Sequence, residues 1–284
     1  MSAPLYKAVA VVARERAADL AALLELVPFP SPVAVLTAEV PGEPEITVEA
    51  LYADRPDAEE LSRLAGLPVR VEDLPDQDWI RLSQQGLPPV RAGRFFVYGA
   101  HDRGTVPLGV IPLAIDAGLA FGTGHHETTA LCLEALSDLA RVRRPRTILD
   151  VGTGTGVLAI AAARLWRRMI VATDIDPVAI ETARANARDN GALPFLQLGV
   201  ADGLETPLIR NRGPYDLVIA NILAGPLTRL SGAIAAATAP GGHVLLSGLL
   251  RHQEQTVTGF YRARGLTAVR RLRQNAWSAL LFRR

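Results

Sequence analysis

The chain has 284 residues, 49% of them hydrophobic and 21% charged, which describes a globular protein of one large domain or two and excludes a disordered or fibrous chain. Thirty basic residues against twenty-nine acidic ones leave a net charge of +1, so no whole-protein field draws the chain onto nucleic acid or anionic lipid; direct nucleic-acid binding is not expected, though a local basic patch stays open. A single cysteine, Cys132, forms no internal disulfide, and no leader-like segment or apolar run of about eighteen residues is present, so a cytoplasmic protein is expected, and a monomer.

Residues 5–12 are strand-like, 15–27 repeat apolar residues at helical spacing, 33–40 and 45–53 are β-rich, 58–64 are helical and 69–71 extended. That β-α-β-β-α-β order predicts a small α+β, ferredoxin-like domain over residues 1–72, with two helices on one sheet face and the other face free for a partner. Prolines and glycines then break the pattern, apart from a short apolar strand at 95–98, so 73–118 reads as a linker and an entry segment to the next domain.

From 119 to 284 strands and helices alternate as in a doubly wound, Rossmann-like α/β domain. Strands are expected at 147–151, 169–174, 195–198, 215–219 and 243–247, helices at 157–166 and 177–190, and a terminal hairpin from 268–273 and 276–282. Pro177 suits the first helical position, where a missing N–H costs nothing, and Gly191 is the stop.

The first of those strands ends in Asp150-Val151-Gly152-Thr153-Gly154-Thr155-Gly156, and twenty residues beyond Gly154 the second ends in Asp174. A turn stripped of side chains brings backbone N–H groups close to a ligand, and the second carboxylate can accept both ribose hydroxyls. A dinucleotide site wants G-x-G-x-x-G, whose third glycine would fall at Val157; the G-x-G-x-G form ending at Gly156 instead favours S-adenosylmethionine, which has no pyrophosphate to seat.

Asn221 ends the fourth strand, where chemistry gathers in open α/β sheets. Its amide oxygen can hold the lone pair of an amine towards an electrophilic methyl group, or it can simply cap a turn. Upstream, the glycine-rich Ala120 to Thr129 runs into a helix that its threonines can cap, or whose free N–H groups can serve a carboxylate. His125, His126 and Glu127 invite a metal reading, but adjacent residues share no face and no fourth ligand stands nearby, so no metal is expected.

Four segments carry a family resemblance: Phe121 to Thr129, Asp150 to Gly156, Asp174 to Pro177, and Asn221 to Leu227. Together they resemble the methyltransferases of large-subunit ribosomal protein eleven. The last three are shared more loosely with many methyltransferases, while the first is far more specific. The resemblance implies a class I methyltransferase domain using S-adenosylmethionine, with cofactor contacts at Thr129, Gly152, Asp174 and Asn221. Phe121, Gly122, Thr123, Asp150, Gly154 and Gly156 complete the expected cofactor set, with Asn221 also catalytic. It further implies that residues 1–72 recognise the substrate, and that amines of ribosomal protein eleven, on lysines or the N-terminus, accept the methyl groups. Where that family often carries a second tryptophan four residues after the one matching Trp79, this chain has Ser83. Alternatives from the residues alone are a small-molecule or RNA methyltransferase of the same fold, an NAD-dependent oxidoreductase, and a non-catalytic ribosome-binding protein.

Overall fold

The computed structural model describes residues 5–25, 32, 34–39, 45–52, 54–74, 89–99, 106–115 and 123–284, and these divide into two compact units. In the first, β1 (Leu5–Ala13), α1 (Arg14–Glu25), β2 (Ala34–Glu39), β3 (Glu45–Tyr52), α2 (Ala58–Ala65) and β4 (Arg70–Leu74) follow one another. The strands lie in the order β2-β3-β1-β4, every neighbouring pair antiparallel. Strand alternation selects the core: Ile46, Val48, Ala50 and Tyr52 of β3 point inward beside Ala8, Ala10 and Val12 of β1, and Leu20, Leu24 and Leu61 of the helices close over them. Asp57 starts α2 by accepting the N–H groups of Glu59 and Glu60 at 2.8 and 3.1 Å, and Gly66, at φ 67, stops it.

The second unit opens with β5 (Val90–Ala92), β6 (Phe95–Tyr98) and β7 (Ile111–Ala114), which form a three-stranded sheet. This differs from the expected linker. Asn190 receives the Ala114 N–H at 2.9 Å and donates to the Ala114 carbonyl at 2.6 Å, while the Ser137 hydroxyl accepts the Arg94 N–H at 3.0 Å. Among the described residues of this segment, Gly93 and Gly109 lie in turns of the small sheet, while Pro112 lies within β7.

The larger sheet holds β8 (Ile148–Val151), β9 (Ile170–Asp174), β10 (Leu196–Val200), β11 (Tyr215–Asn221), β12 (Thr238–Leu250), β13 (Thr267–Gln274) and β14 (Trp277–Arg283), in the order β10-β9-β8-β11-β12-β14-β13. The first five are mutually parallel; β14 runs antiparallel to β12 and to β13, as the expected hairpin requires. The helices are α3 (Thr123–Val142), α4 (Val157–Trp166), α5 (Pro177–Asp189), α6 (Pro207–Arg210), α7 (Ala224–Ala237) and α8 (Glu254–Arg262). All four residues of β8 are buried, and so is the run from Val157 to Ala163 in α4, as a parallel sheet covered on both faces demands. β10 starts at Leu196 because Leu193–Phe195 form a 3-10 turn, and β12 is longer than expected, since its bend at 240–242 is apolar-poor and hides the strand before His243. Among the described residues no helix is long and apolar enough to cross a membrane.

Chain order reverses between β8 and β11: after β8 the strands step outward to β9 and β10, then the chain returns to lay β11 on the other side of β8. In such sheets the crevice at that reversal, beyond the carboxyl ends of the strands, is where ligands bind.

Candidate active site

The glycine turn leaves the carboxyl end of β8. Gly152, Gly154 and Gly156 all have positive φ, at 69°, 53° and 81°, which side-chain-bearing residues rarely adopt. Their surroundings differ. A Cβ at Gly152 would stand 2.4 Å from Ile222 Cγ2, and one at Gly156 would stand 3.0 Å from the Ala183 Cβ, so these two set the packing of the turn against the end of β11 and against α5. Gly154 has nothing within 4 Å of that position, so it leaves an open cradle.

The N–H groups of Gly152, Thr153, Gly154 and Gly156 are taken up within the fold, where the sequence expectation has the turn's N–H groups close to a ligand. Gly152 and Thr153 both donate to the Thr173 carbonyl at 2.8 and 2.9 Å, Gly156 donates to Thr153 at 2.9 Å, and Gly154 donates to Asp174 Oδ2 at 2.8 Å. A turn with these donors directed inward is poorly equipped to bind a pyrophosphate, and helical, buried Val157 stands where a dinucleotide turn needs its third glycine. Asp174, partly exposed at the end of β9, also accepts the Asp176 N–H on Oδ1 at 3.1 Å. Asp176 in turn caps α5 through Val178 at 2.8 Å, with Pro177 at the first helical turn.

Asp150 is 1% exposed, and burial pushes its carboxyl up to about 7. The Thr153 hydroxyl, which donates to Oδ2 at 2.7 Å, pulls the other way, and the charge of Asp174 adds to the rise. The carboxyl fastens the start of the turn from beneath rather than facing the crevice.

On the other side of the reversal, Asn221 closes β11 and its Nδ2 donates to the Thr129 hydroxyl at 3.4 Å. Its Oδ1 is buried and has no hydrogen-bond partner among the described residues. Thr128 and Thr129 are buried in the second turn of α3, so they do not cap that helix. Ser247, paired with Asn221 across β11 and β12, donates to the Ser278 carbonyl at 3.0 Å, with the Thr128 carbonyl at 3.4 Å as the alternative acceptor, and the buried Cys132 thiol beside it is pushed up to about 12 by burial. Cys132 therefore packs and does not react.

Sequence reasoning missed Ser247 and the residue after it. Gly248 has φ 81, and a Cβ there would lie 2.4 Å from the Ile222 carbonyl oxygen, so it admits the backbone that follows Asn221. A Ser-Gly pair ending a fifth strand was the available signal. Of the residues expected on sequence, Asp150, Gly152, Gly154, Gly156, Asp174, Asn221 and Thr129 gather at the carboxyl ends of β8, β9 and β11. Phe121 and Gly122 lie outside the described residues, as do the side chains of Thr123, His125 and His126. Among the described residues no group of three or more His, Cys, Asp or Glu side chains is placed to hold a metal.

Residues 34–284 match the family model described as "Ribosomal protein L11 methyltransferase (PrmA)". A ribosomal protein L11 methyltransferase of Caulobacter sp. (strain K31) is 50% identical over 234 residues, covering 81% of this chain and 80% of that protein. One from Rhizobium meliloti (strain 1021) is 46% identical over 253 residues, covering 86% and 87%. The crystal structure of a ribosomal protein L11 methylase from Lactobacillus delbrueckii subsp. bulgaricus superimposes with a TM-score of 0.59 at 26% identity, covering 69% of this chain and 97% of that one. S-adenosylmethionine is the cofactor of this enzyme class, and the residues present fit it: a side-chain-free cradle at Gly154, a carboxylate at Asp174 and an orphaned buried oxygen on Asn221. The chain belongs to the ribosomal protein L11 methyltransferase family.

Proposed function

We propose that the chain transfers methyl groups from S-adenosylmethionine to amino groups of ribosomal protein L11, and that the N-terminal unit, a ferredoxin-like domain over residues 1–72, recognises that protein. The observation that carries the reading is the buried Oδ1 of Asn221, which has no partner among the described residues. A buried acceptor left unpaired costs about 1–3 kcal/mol, a cost recovered when an N–H of the acceptor amine fills it. Thr129 holds the other end of the amide, so the oxygen keeps its aim.

Asp174 has one N–H on each oxygen and lone pairs to spare, which suits it to accept ribose hydroxyls. Gly152, Gly154 and Gly156 keep the turn low enough for a ligand to lie over it, and Asp150 anchors that turn. Phe121, Gly122, Thr123 and Thr129 belong to the same proposed cofactor set. The bound cofactor supplies a methyl group already activated by its sulfonium. What remains for the protein is alignment, and a neutral amine. An α-amine, with a pKa of about 7.7–8.0, is partly neutral near neutrality, whereas lysine at about 10.4 costs on the order of 4–5 kcal/mol to deprotonate in water. The buried surroundings of Asn221 lower that cost by disfavouring the ammonium.

The test is methyl incorporation from labelled cofactor into purified L11, into ribosomal RNA and into a panel of small amines. Incorporation into L11 alone is expected; labelling of RNA or small amines in preference to L11 would replace this reading.

A further inference from the structure

The net charge of +1 conceals a division. Residues 1–83 carry fifteen acidic and seven basic side chains, a net −8, whereas residues 84–284 carry fourteen acidic and twenty-three basic ones, a net +9. Charge asymmetry of this size between parts of a chain points to a polyanionic partner for the basic part.

Within the second unit the basic side chains gather at one end of the seven-stranded sheet. The connections that lead into the parallel strands bring Arg143, Arg144 and Arg146 ahead of β8, and Arg167 and Arg168 ahead of β9; β14, running the other way, delivers Arg283 to the same end. All six are exposed, and none forms an ion pair among the described residues. A groove of about 410 Å³ opens there, lined by the first three arginines, Pro240 and His243. Burial, with the charges of Arg143 and Arg283, holds His243 below its ordinary pKa, so it stays neutral; Arg143 lines the groove, and Arg283 pairs with His243 from the end of β14. The acid in the groove, Asp216, is engaged by the Arg146 and Thr147 N–H groups at 2.7 and 3.4 Å. Asp189, at the end of α5, is a second acid at that end of the unit.

From β9 to β14 the sheet steps across four strand spacings, roughly 19 Å. That width matches about five or six phosphates of one strand at the roughly 3.4 Å rise of B-form DNA, and slightly more at the shorter rise of A-form RNA. Exposed guanidinium groups outside any ion pair are suited to phosphate oxygens, which they grip as a planar fork; the large apolar side chains exposed among them, Val142 and Met169, are too few for the buried apolar centre that a protein partner needs.

We propose that this arginine-rich end of the sheet, opposite the glycine turn, binds the phosphate backbone of RNA. The choice of RNA among polyanions rests on the ribosomal substrate proposed above, while the existence of a phosphate-binding face rests on charge and placement alone. Such a face would hold the enzyme near an RNA-associated substrate without touching the cleft.

Anisotropy of a short labelled RNA duplex with the full chain, over a salt series, tests it. The unaltered protein should bind, with log affinity falling linearly against log salt, and the triple variant R143E/R146E/R168E should bind at least about tenfold more weakly, with a slope smaller by about 3. R143Q/R146Q/R168Q should lie between the two, and both variants should keep cofactor binding and circular dichroism, which shows that they fold. Failure of the unaltered chain to bind RNA, or equal binding by folded variants, overturns the proposal. Preferential binding of polyglutamate through the same arginines overturns it in favour of an acidic protein. Methylation of free L11, measured alongside, reports on the proposed function separately.

Discussion

The side chains of Thr129 and Asn221, 92 positions apart in sequence, meet at 3.4 Å, hydroxyl oxygen to amide nitrogen, and the amide oxygen of Asn221 is buried with no partner among the described residues. The hydroxyls of Tyr52, Thr173 and Thr258 are likewise buried and unpaired among the described residues, but the Asn221 oxygen is the one side-chain amide in that set, and it precedes Ile222, which packs on the glycine turn, so it is the chemical centre of the account.

Stability and activity should therefore separate at Asn221. Asn221→Ala removes an unpaired acceptor together with the long contact to Thr129, so chemical denaturation should find the variant within about 1 kcal/mol of the parent, while turnover falls by about two orders of magnitude and cofactor affinity changes little. A stability loss with unchanged turnover would reduce Asn221 to a turn residue.

Asp174→Ala removes the partner of the Gly154 and Asp176 N–H groups as well as the proposed ribose acceptor. Calorimetry should show S-adenosylmethionine binding weakened by about 1.5–3 kcal/mol, the scale of hydrogen bonds to a charged group.

The glycines should divide by what surrounds them. Gly248→Ala places a Cβ against the Ile222 backbone at φ 81 and should destabilise the chain by about 3 kcal/mol or more, because neither strand end can move freely. Gly154→Ala, in open space at φ 53, should cost about 1–2 kcal/mol of stability yet abolish most cofactor binding. Thermal melts and calorimetry on the two variants distinguish the effects.

Asp150 gives a pH prediction. Its folded pKa of about 7 lies above the ordinary carboxylate value, so the folded state holds a proton that the unfolded chain has lost between roughly pH 4 and 7. Its contribution to stability is therefore present below pH 4, declines as pH rises through 7, and is absent above. Asp150→Asn cannot ionise. Relative to the parent, the variant should gain stability as pH rises from 4 to 8, by at most about 4 kcal/mol, in melts recorded along that range.

The second unit was legible because its signals are local. Parallel buried strands read as apolar runs, glycines and acids punctuate their ends, and Pro177 marks a helix start, so the turn from Asp150 to Gly156, Asp174 and Asn221 all fell where the sheet gathers them. What was not legible depends on contacts between distant segments. The fastening of β7 through Asn190 spans 76 positions. Gly248 matters only because Ile222 lies over it, and the inward turn of the Gly152 and Gly154 N–H groups depends on Thr173 and Asp174. Short strands such as Val90–Ala92 carry too few residues for a period to show.

Removing residues 1–83 should leave S-adenosylmethionine binding nearly intact, since Asp150, Gly154, Asp174 and Asn221 all lie in the second unit, while methylation of L11 collapses. Circular dichroism must first show that the remaining chain is folded. A folded truncation that methylates L11 at the parent rate would remove the first unit from substrate recognition.

The most direct measurement is peptide mass spectrometry of purified L11 after incubation with the full chain and S-adenosylmethionine, in parallel with Asn221→Ala. The account predicts whole-methyl mass increments on lysine side chains or the N-terminal amine with the unaltered chain, and nearly none with the variant. Methyl groups confined to oxygen, sulfur or carbon atoms, or an unmodified L11 beside an enzyme that binds the cofactor, would contradict it.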